Sequence, residues 1–232
     1  MQQVELCTRT AWLQDGARSD ARSASPIGRS GPDMACTNQF GEPSTTAHSS
    51  MHRLVAPRCA SLDSSTRVLS PKFCFHLKSA PPESSDLDLL LDFVDWMALS
   101  VEIVKSHHPG WRFRLPDCTA DNGLHGRLVV GEPFPTKQVP DLLERLVDVQ
   151  IVLRRGEAEV DRRIGANVLG SPLFALAHLV QVLAGQPEAA PLSAGEVVTT
   201  GVITDAHPVA AGETWTTEIR GLPLPGLRIT FE

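Results

Sequence analysis

The sequence predicts an α+β fold preceded by a disordered N-terminal tail. Short strands separated by glycine and proline fill most of the chain after residue 66, and two or three helices interrupt them. Strands and helices do not alternate regularly, so a parallel sheet built from βαβ units is not expected. Residues 1–66 show neither a helical nor a strand period of apolar residues. The pattern therefore divides the chain into a tail at 1–66 and a folded domain at 67–232.

The N-terminal region is rich in serine, arginine, threonine, proline and glycine. Such a composition buries too little apolar surface to offset the entropy lost on ordering the chain. Two explanations remain open for residues 1–66. The region is either a disordered tail or untranslated or intronic sequence that has been read as protein.

Ordered structure is expected to begin near Arg67. Alternating residues at 73–78 predict a strand. A helix is expected at 87–100, because apolar residues recur there at helical spacing and aspartates lie near its start. Ser84 or Ser85 is a plausible N-cap for that helix.

The rest of the chain continues the predominance of strands. The helix at 171–184 is predicted from a strongly apolar run with proline in its first turn and glycine after its end. The other predicted elements are a strand at 101–106, a turn and extended chain at 107–117, a strand at 126–131, a hairpin at 147–165 that turns at Arg155 and Gly156, and short strands within 191–232.

The charge distribution limits the possible partners. The net charge is −6, and residues 81–232 carry twelve basic and twenty-one acidic residues. An acidic domain is not expected to bind nucleic acid or an anionic membrane surface. No apolar run is expected to span a membrane, because the best candidate, 168–183, is interrupted by glycine, proline, histidine and glutamine.

Cysteine usage indicates the compartment. The five cysteines are odd in number and form no CxxC pair, so a disulfide framework is not expected. The N-terminus has no apolar segment after a basic start, which argues against a secretory signal. A reducing compartment, the cytoplasm, is the expected location.

Five collinear segments carry motifs that recur together in one known family. They contain Glu-Ile-Val followed by Pro-Gly-Trp, Asp-Cys-Thr-Ala-Asp-Asn, Gly-Arg-Leu-Val-Val-Gly, Asn-Val-Leu-Gly-Ser-Pro-Leu, and Leu-Ser-Ala-Gly-Glu-Val-Val followed by Thr-Gly, at 102–111, 117–122, 126–131, 167–173 and 192–201. In order and spacing they resemble the 2-keto-4-pentenoate hydratase and 4-oxalocrotonate decarboxylase branch of the fumarylacetoacetate hydrolase superfamily, in its C-terminal part.

The resemblance implies a fold, a cofactor and a substrate class. The fold is a mixed β-roll or sandwich-like core of the fumarylacetoacetase C-terminal type with peripheral helices. One Mg²⁺ or Mn²⁺ is held by three carboxylates and stabilises the enolate of a small 2-oxo or 2-hydroxy-dienoic acid. The family is usually oligomeric, so the resemblance also implies a homo-oligomer or a complex with a paralogue.

The resemblance makes Glu102 one metal ligand. Its neighbours are apolar, and a carboxylate in a core strand is costly unless a cation balances it. The alternative is a glutamate on the solvated face of a strand. The other two ligands, a Glu-x-Glu pair in the family, fall on Ser70 and Lys72. A lysine repels a metal, and Lys72 could instead act as a fixed cation that pairs with Glu102.

The remaining candidate residues are assigned by the same motifs. Asp121 is assigned to catalysis and Asn122 to the substrate pocket. His125 stands near the position of small hydroxyl residues in the family, where it could carry a proton or bind a carboxylate, or be a loop histidine satisfied by the backbone. Ser171 is first a helix cap and second a pocket donor, while Thr200 and the glycine after it, Gly201, are expected to bind substrate or to form a plain turn.

Two functions follow from these residues. The first is a metal-assisted lyase, a hydratase or a decarboxylase of a small oxo or hydroxy-dienoic acid. The second is a catalytically impaired relative that lacks the Glu-x-Glu pair and serves as a subunit or as a small-acid-binding protein. The carboxylate pair discriminates between them.

Overall fold

The computed structural model describes residues 54–55, 67–187 and 189–232, and for residues 54–55 only the backbone pairing. The predicted tail at 1–66 otherwise lies outside the described residues, so its disorder stays a prediction. A long strand begins at Arg67, and the short strand Leu54–Val55 lies before it, so the boundary between residues 66 and 67 stays a prediction.

Eleven strands and four α-helices make up the described part of the chain. The strands are β1 (Leu54–Val55), β2 (Arg67–Leu77), β3 (Val94–Lys105), β4 (His125–Val130), β5 (Phe134–Pro135), β6 (Gln150–Arg155), β7 (Ala158–Ile164), β8 (Val197–Thr199), β9 (His207–Pro208), β10 (Thr214–Arg220) and β11 (Arg228–Thr230). The helices are α1 (Leu87–Leu91), α2 (Leu115–Ala120), α3 (Leu142–Asp148) and α4 (Pro172–Ala184).

The strands form two sheets that are antiparallel apart from one short pair. One sheet has the order β4-β3-β2-β8, with β5 added to β3 and β9 added to β2. The other has the order β1-β11-β10-β6-β7, in which β1 and β11 are parallel. Apolar residues from both sheets and from α3 and α4 form one core cluster. The predicted α+β class, with a mixed sheet core and few helices, is confirmed.

The predicted helix at 87–100 is wrong beyond Leu91. The helix ends there, and Val94 starts the twelve-residue strand β3. Most side chains of β3 are buried on both faces of its sheet, so apolar residues occupy consecutive positions and imitate helical spacing. Pairing with β2 along nearly the whole length of both strands decides the outcome.

The N-cap of α1 is Asp86. Its carboxylate accepts hydrogen bonds from the backbone N–H groups of Asp88 and Leu89, at 3.0 and 3.2 Å. Ser84 does not cap the helix. Its hydroxyl accepts a hydrogen bond from the backbone N–H of the cap residue, Asp86. The prediction of Ser84 or Ser85 as the cap is therefore wrong.

Other predicted elements differ less from the structure. The extended chain expected at 112–117 is interrupted by α2, whose Asp117 side chain accepts from the backbone N–H of Arg114. The hairpin β6–β7, the helix α4 and the short strands predicted within 191–232, which the structure shows as β8 to β11, are confirmed.

The apolar helix α4 belongs to the core. The span Gly165–Ala184 is long and apolar enough by composition to cross a membrane, which corrects the expectation that no run in the chain reaches that length. A core helix passes the same test, and most residues of α4 are buried, among them Leu173, Leu176 and Leu179.

Candidate functional site

The two faces of the β2–β3 ladder carry different chemistry. Odd-numbered residues of both strands, such as Phe73 and Leu99, enter the main apolar core. Even-numbered residues point to the opposite face, because successive side chains of a strand alternate. Ser70 lies directly opposite Glu102 there, and Lys72 lies opposite Ser100. This alternation gathers four polar side chains on one face of a buried sheet.

Glu102 is the centre of this polar face. Only 1% of it is exposed, and its two carboxylate oxygens contact two different groups, an ammonium and an imidazole. Oε2 lies 3.2 Å from the Nζ atom of Lys72, and Oε1 lies 2.6 Å from Nδ1 of His125. Burial by itself raises the pKa of Glu102, but the hydrogen bond with His125 and the charge of Lys72 outweigh it and lower that pKa below its ordinary value of 4.5. Glu102 is therefore an ionised, paired carboxylate.

Lys72 is as deeply buried as its partner, at 1% exposure. Beyond Glu102, its Nζ atom lies 3.5 Å from the carbonyl oxygen of Thr200. The backbone around it is held by the Ser100 hydroxyl, which donates to the carbonyl oxygen of Lys72 at 3.1 Å. A buried ammonium is tolerated only when charges and acceptors surround it, and the carboxylate of Glu102 meets that need. The expected pairing of Lys72 with Glu102 is confirmed.

His125 reaches Glu102 from the neighbouring strand. It is the first residue of β4 and follows a short turn in which Leu124 has a positive φ of 63°. The side chain of His125 is 19% exposed, whereas that of Glu102 is buried. A carboxylate on Nδ1 favours the tautomer with the proton on that nitrogen and leaves Nε2 as the free site of the ring. The histidine is held by a side chain, so the alternative of a loop histidine satisfied by the backbone is wrong.

Ser70 completes the polar face. It is 1% exposed, and its hydroxyl oxygen is buried without a hydrogen-bond partner among the described residues. Its Cα partner across the ladder is Glu102, so its side chain stands beside that carboxylate. Thr200 borders the same place, where its hydroxyl accepts from the N–H of Phe73 at 3.1 Å and donates to the carbonyl oxygen of Gly201 at 2.9 Å.

Cys74 follows on the same face and is inert. Burial raises the pKa of its thiol to about 12, and hydrogen bonds with Ser100 and Ala98 oppose this only in part. A thiol with so high a pKa is neither a nucleophile nor a metal ligand at neutral pH. Cys74 and Cys118 are free thiols, and the other three cysteines lie outside the described residues.

Asp121 has a different partner. Its carboxylate oxygens lie 2.7 and 2.8 Å from Nδ1 of His107, and this hydrogen bond is the main reason why the pKa of Asp121 is lowered. The turn predicted to begin at residue 107 gave no indication of this pair. Asn122 follows with a positive φ of 50° and begins the turn that leads into β4. The catalytic role of Asp121 and the substrate-binding role of Asn122 stay predictions.

Ser171 occupies the N-cap position of α4 without capping it. Its hydroxyl oxygen is buried and has no hydrogen-bond partner among the described residues, and no side-chain bond closes the first turn. The expected cap by its hydroxyl is therefore wrong. The second expectation, a donor to a bound substrate, stays a prediction for Ser171, as substrate binding does for Thr200 and Gly201.

The residues of the polar face do not fit a divalent cation. Hard cations need several oxygen ligands, and three acidic ones were implied by the resemblance. Here Glu102 is the one carboxylate, Lys72 places a positive charge against it, and His125 occupies its second oxygen. No group of three or more histidine, cysteine, aspartate or glutamate side chains that could hold a metal occurs among the residues that the structure describes.

The polar face is closed in the structure. A surface cleft of about 520 Å³ is lined by α1 and by residues of the segment around α3, among them Asp88, Asp92 and Glu144. A second cleft of about 240 Å³ lies beside the end of α4. Neither cleft is lined by a residue of the polar face.

The sequence identified Glu102, His125 and Lys72 as candidate site residues, but it did not predict the hydrogen bond between His125 and Glu102. The contact depends on the register between β3 and β4, in which Val104 faces His125 and the register shifts by a bulge. Some twenty residues of turns and helix separate the strands, so no local pattern reveals that register. Alternation along β3 from Glu102 to Val104 is the one available signal.

Comparisons with known proteins confirm the resemblance. The chain is 35% identical over 133 residues to a 4-oxalocrotonate decarboxylase of Pseudomonas sp. (strain CF600), covering 57% of this chain and 48% of that protein. It is 32% identical over 140 residues to 2-keto-4-pentenoate hydratase 2 of Dechloromonas aromatica (strain RCB), covering 57% and 48%. The chain thus spans about half the length of the curated relatives it matches. No family model matches the chain.

Solved structures agree with these relatives. The 4-oxalocrotonate decarboxylase from Pseudomonas putida G7, complexed with magnesium and adipate, matches with a TM-score of 0.62 and 27% identity over 72% of this chain and 61% of that one. Fumarylpyruvate hydrolase from Pseudomonas aeruginosa, in complex with Mn²⁺ and pyruvate, matches with a TM-score of 0.55 and 16% identity over 79% and 72%. The second match shows the fold alone. Relatives of this chain are therefore hydratases and decarboxylases, and solved neighbours hold a divalent metal.

Proposed function

We propose that the described part of the chain acts on small 2-oxo or 2-hydroxy-dienoic acids as a lyase, a hydratase or a decarboxylase, with His125 as the proton carrier. The relatives named hydratases and decarboxylases support the reaction class. The observation that carries the proposal is the Glu102–His125 pair, in which a closed, ionised carboxylate holds a partly exposed imidazole at 2.6 Å.

The chemistry requires a group that moves a proton on the carbon chain. A 2-hydroxydienoate becomes a 2-oxo acid when a proton leaves the enol oxygen and another reaches a distal carbon, after which water adds to the remaining double bond. Decarboxylation leaves an enolate that must also be protonated. A histidine side chain can give and take such protons. Glu102 fixes the ring so that Nε2 of His125 is the atom that exchanges the proton.

Each charged residue of the polar face has a part in this proposal. Glu102 orients the ring of His125 through the contact at Nδ1. Lys72 neutralises Glu102, so that the carboxylate stays ionised although it is buried. Thr200 lies beside Lys72, and its hydroxyl, which donates to the carbonyl oxygen of Gly201 in the structure, would have to break that bond to donate to a substrate oxygen.

The test is turnover of 2-hydroxypenta-2,4-dienoate, followed by loss of the dienol absorbance. We expect His125→Asn to lower kcat by about 10²- to 10⁴-fold, the usual contribution of a positioned acid–base group. His178→Asn is the matched control, because His178 lies exposed on α4, and it is expected to leave kcat unchanged. Equal rates in wild type and His125→Asn would refute the role of His125.

A catalytically impaired relative is the second candidate. Glu102 and Lys72 are each 1% exposed. Their burial favours this candidate, because the structure would have to open before a small acid could reach them. This candidate binds a saturated 2-oxo acid such as 2-oxopentanoate but converts no dienoate. Calorimetry with 2-oxopentanoate, run beside the turnover assay, separates the two: binding without turnover favours the impaired relative.

Assembly and location belong to the same proposal. We expect the chain to occur in the cytoplasm, as a homo-oligomer or in a complex with a paralogue that carries its own complete site. Size-exclusion chromatography coupled to light scattering checks the first form. Co-expression with a relative that has an intact carboxylate pair checks the second, since a complex would elute as one species containing both chains.

A further inference from the structure

We propose that the ammonium group of Lys72 is the resident cation of this site, held permanently against Glu102, and that the chain therefore binds no divalent cation there. The proposal concerns the cation and not turnover, so it stands or falls separately from the proposed lyase function. It also accounts for the difference between this chain and the solved neighbour that is complexed with magnesium.

The geometry of the ladder supports it first. Ser70 is the direct cross-strand partner of Glu102, and Lys72 is the next residue on the same face. Side chains that are opposite or diagonal across an antiparallel pair lie within reach of one another. Carboxylates at positions 70 and 72 would thus bring their oxygens to Glu102 and form a three-carboxylate set, of the kind that suits Mg²⁺ and Mn²⁺. The residues present supply a hydroxyl and an ammonium at those places.

The charge at the site supports it next. A divalent cation beside Glu102 would stand close to the ammonium of Lys72, which is buried and contacts Oε2 at 3.2 Å. Like charges at this separation repel strongly where water is excluded. The second oxygen, Oε1, is 2.6 Å from the ring nitrogen of His125, so a metal would have to displace that bond as well. The single charge of the Lys72 ammonium balances the single charge of the Glu102 carboxylate, with no like-charge repulsion and no loss of the contact with His125.

The unpartnered hydroxyl of Ser70 supports it third. Its oxygen is buried beside Glu102 and has no hydrogen-bond partner among the described residues. A buried polar atom without a hydrogen-bond partner lowers stability, and most such atoms in folded proteins have a partner. Ser70 thus places a neutral hydroxyl opposite Glu102, where a metal site would need a further acidic ligand. Together, Ser70 and Lys72 distinguish this site from one that holds a metal.

The experiment adds Mn²⁺, with no other ligand, to the full-length chain. Binding is measured as the loss of the six-line electron paramagnetic resonance signal of free Mn²⁺. The Glu102→Gln variant is measured beside the wild type under the same conditions. Mn²⁺ binding that is present in the wild type and absent from this variant is assigned to the site at Glu102. We expect wild type and Glu102→Gln to leave the signal equally strong. Wild-type binding that Glu102→Gln abolishes would overturn the proposal.

The converse variant is Ser70→Glu/Lys72→Glu, with Ser70→Gln/Lys72→Gln as its uncharged, isosteric control. We expect the glutamate variant to remove the free Mn²⁺ signal in a stoichiometric manner, the control to leave it intact, and Mn²⁺ to raise the melting temperature of the glutamate variant alone. A folded glutamate variant that binds no Mn²⁺ would overturn the claim that these two residues exclude the metal. If this variant does not fold with Mn²⁺ present, the wild-type arm decides.

Discussion

The two faces of strand β2 are equally buried and are stabilised in different ways. One face presents Leu69, Phe73 and Phe75 to the main core, where they need no specific partner. The other presents Ser70 and Lys72, whose burial is tolerable only through named contacts with Glu102 and its neighbours. The comparison teaches that burial by itself does not define a core. An apolar face is stabilised by area and packing, and a polar face by pairing.

The largest effect is expected on the apolar face. Phe73→Ala removes a fully buried ring from the contact with both sheets, so it should lower the free energy of unfolding by about 3–5 kcal/mol. Urea denaturation followed by circular dichroism measures the loss. A loss below about 1 kcal/mol, the cost of a minor packing change, would mean that this face is not the main source of stability.

The polar face is tested by removing one partner and then both. Lys72→Met leaves Glu102 buried with no lysine, and we expect a loss of about 3 kcal/mol, as for other broken buried ion pairs. Lys72→Met/Glu102→Leu should recover most of that loss, because an apolar pair of similar volume has no charge to desolvate. The same denaturation experiment measures both variants. A double variant no more stable than Lys72→Met would show that pairing is not what stabilises this face.

Acid should weaken the polar face by a smaller amount. The pKa of Glu102 is lowered in the folded state, so its stabilising contribution is fully present above the unfolded value of about 4.5 and is lost as the pH falls through the folded pKa. The effect is smaller than that of Lys72→Met because the protonated carboxyl still fills its place. Melting temperatures of wild type and Glu102→Gln between pH 7 and pH 3 measure it. Their difference should shrink with acid, and a constant difference would contradict the pairing.

The smallest effect is expected at Ser171. Serine at an N-cap usually contributes about 1 kcal/mol through its hydroxyl, but this hydroxyl makes no such bond. Ser171→Ala should therefore change the free energy of unfolding by no more than about 0.5 kcal/mol, or even raise it, since it removes an unpaired buried oxygen. Asp86→Ala is the matched comparison, because Asp86 does cap α1 and should cost more. Equal costs for the two variants would break this distinction.

Local sequence patterns sufficed for elements whose pattern belongs to one structure only. Proline in the first turn and glycine after the end delimited α4, and the turn at Gly156, with its positive φ of 58°, placed the β6–β7 hairpin. The same reasoning failed for β3. A strand buried on both faces has no alternation, so residues 94–100 continued the helical spacing of α1 until the pairing with β2 assigned them to the sheet.

The sequence by itself determined that this chain has a mostly β domain that resembles hydratases and decarboxylases and that Glu102 lies on a strand, and the resemblance aligned Ser70 and Lys72 with two acidic ligands of the family. Those conclusions depend on residue identity and spacing along the chain. Only the tertiary structure decided which atoms meet: Lys72 on one oxygen of Glu102, His125 on the other, and Asp121 turned to His107 instead. The reason is physical, because contacts across strands depend on register and bulges, and register is set by the packing of the whole sheet.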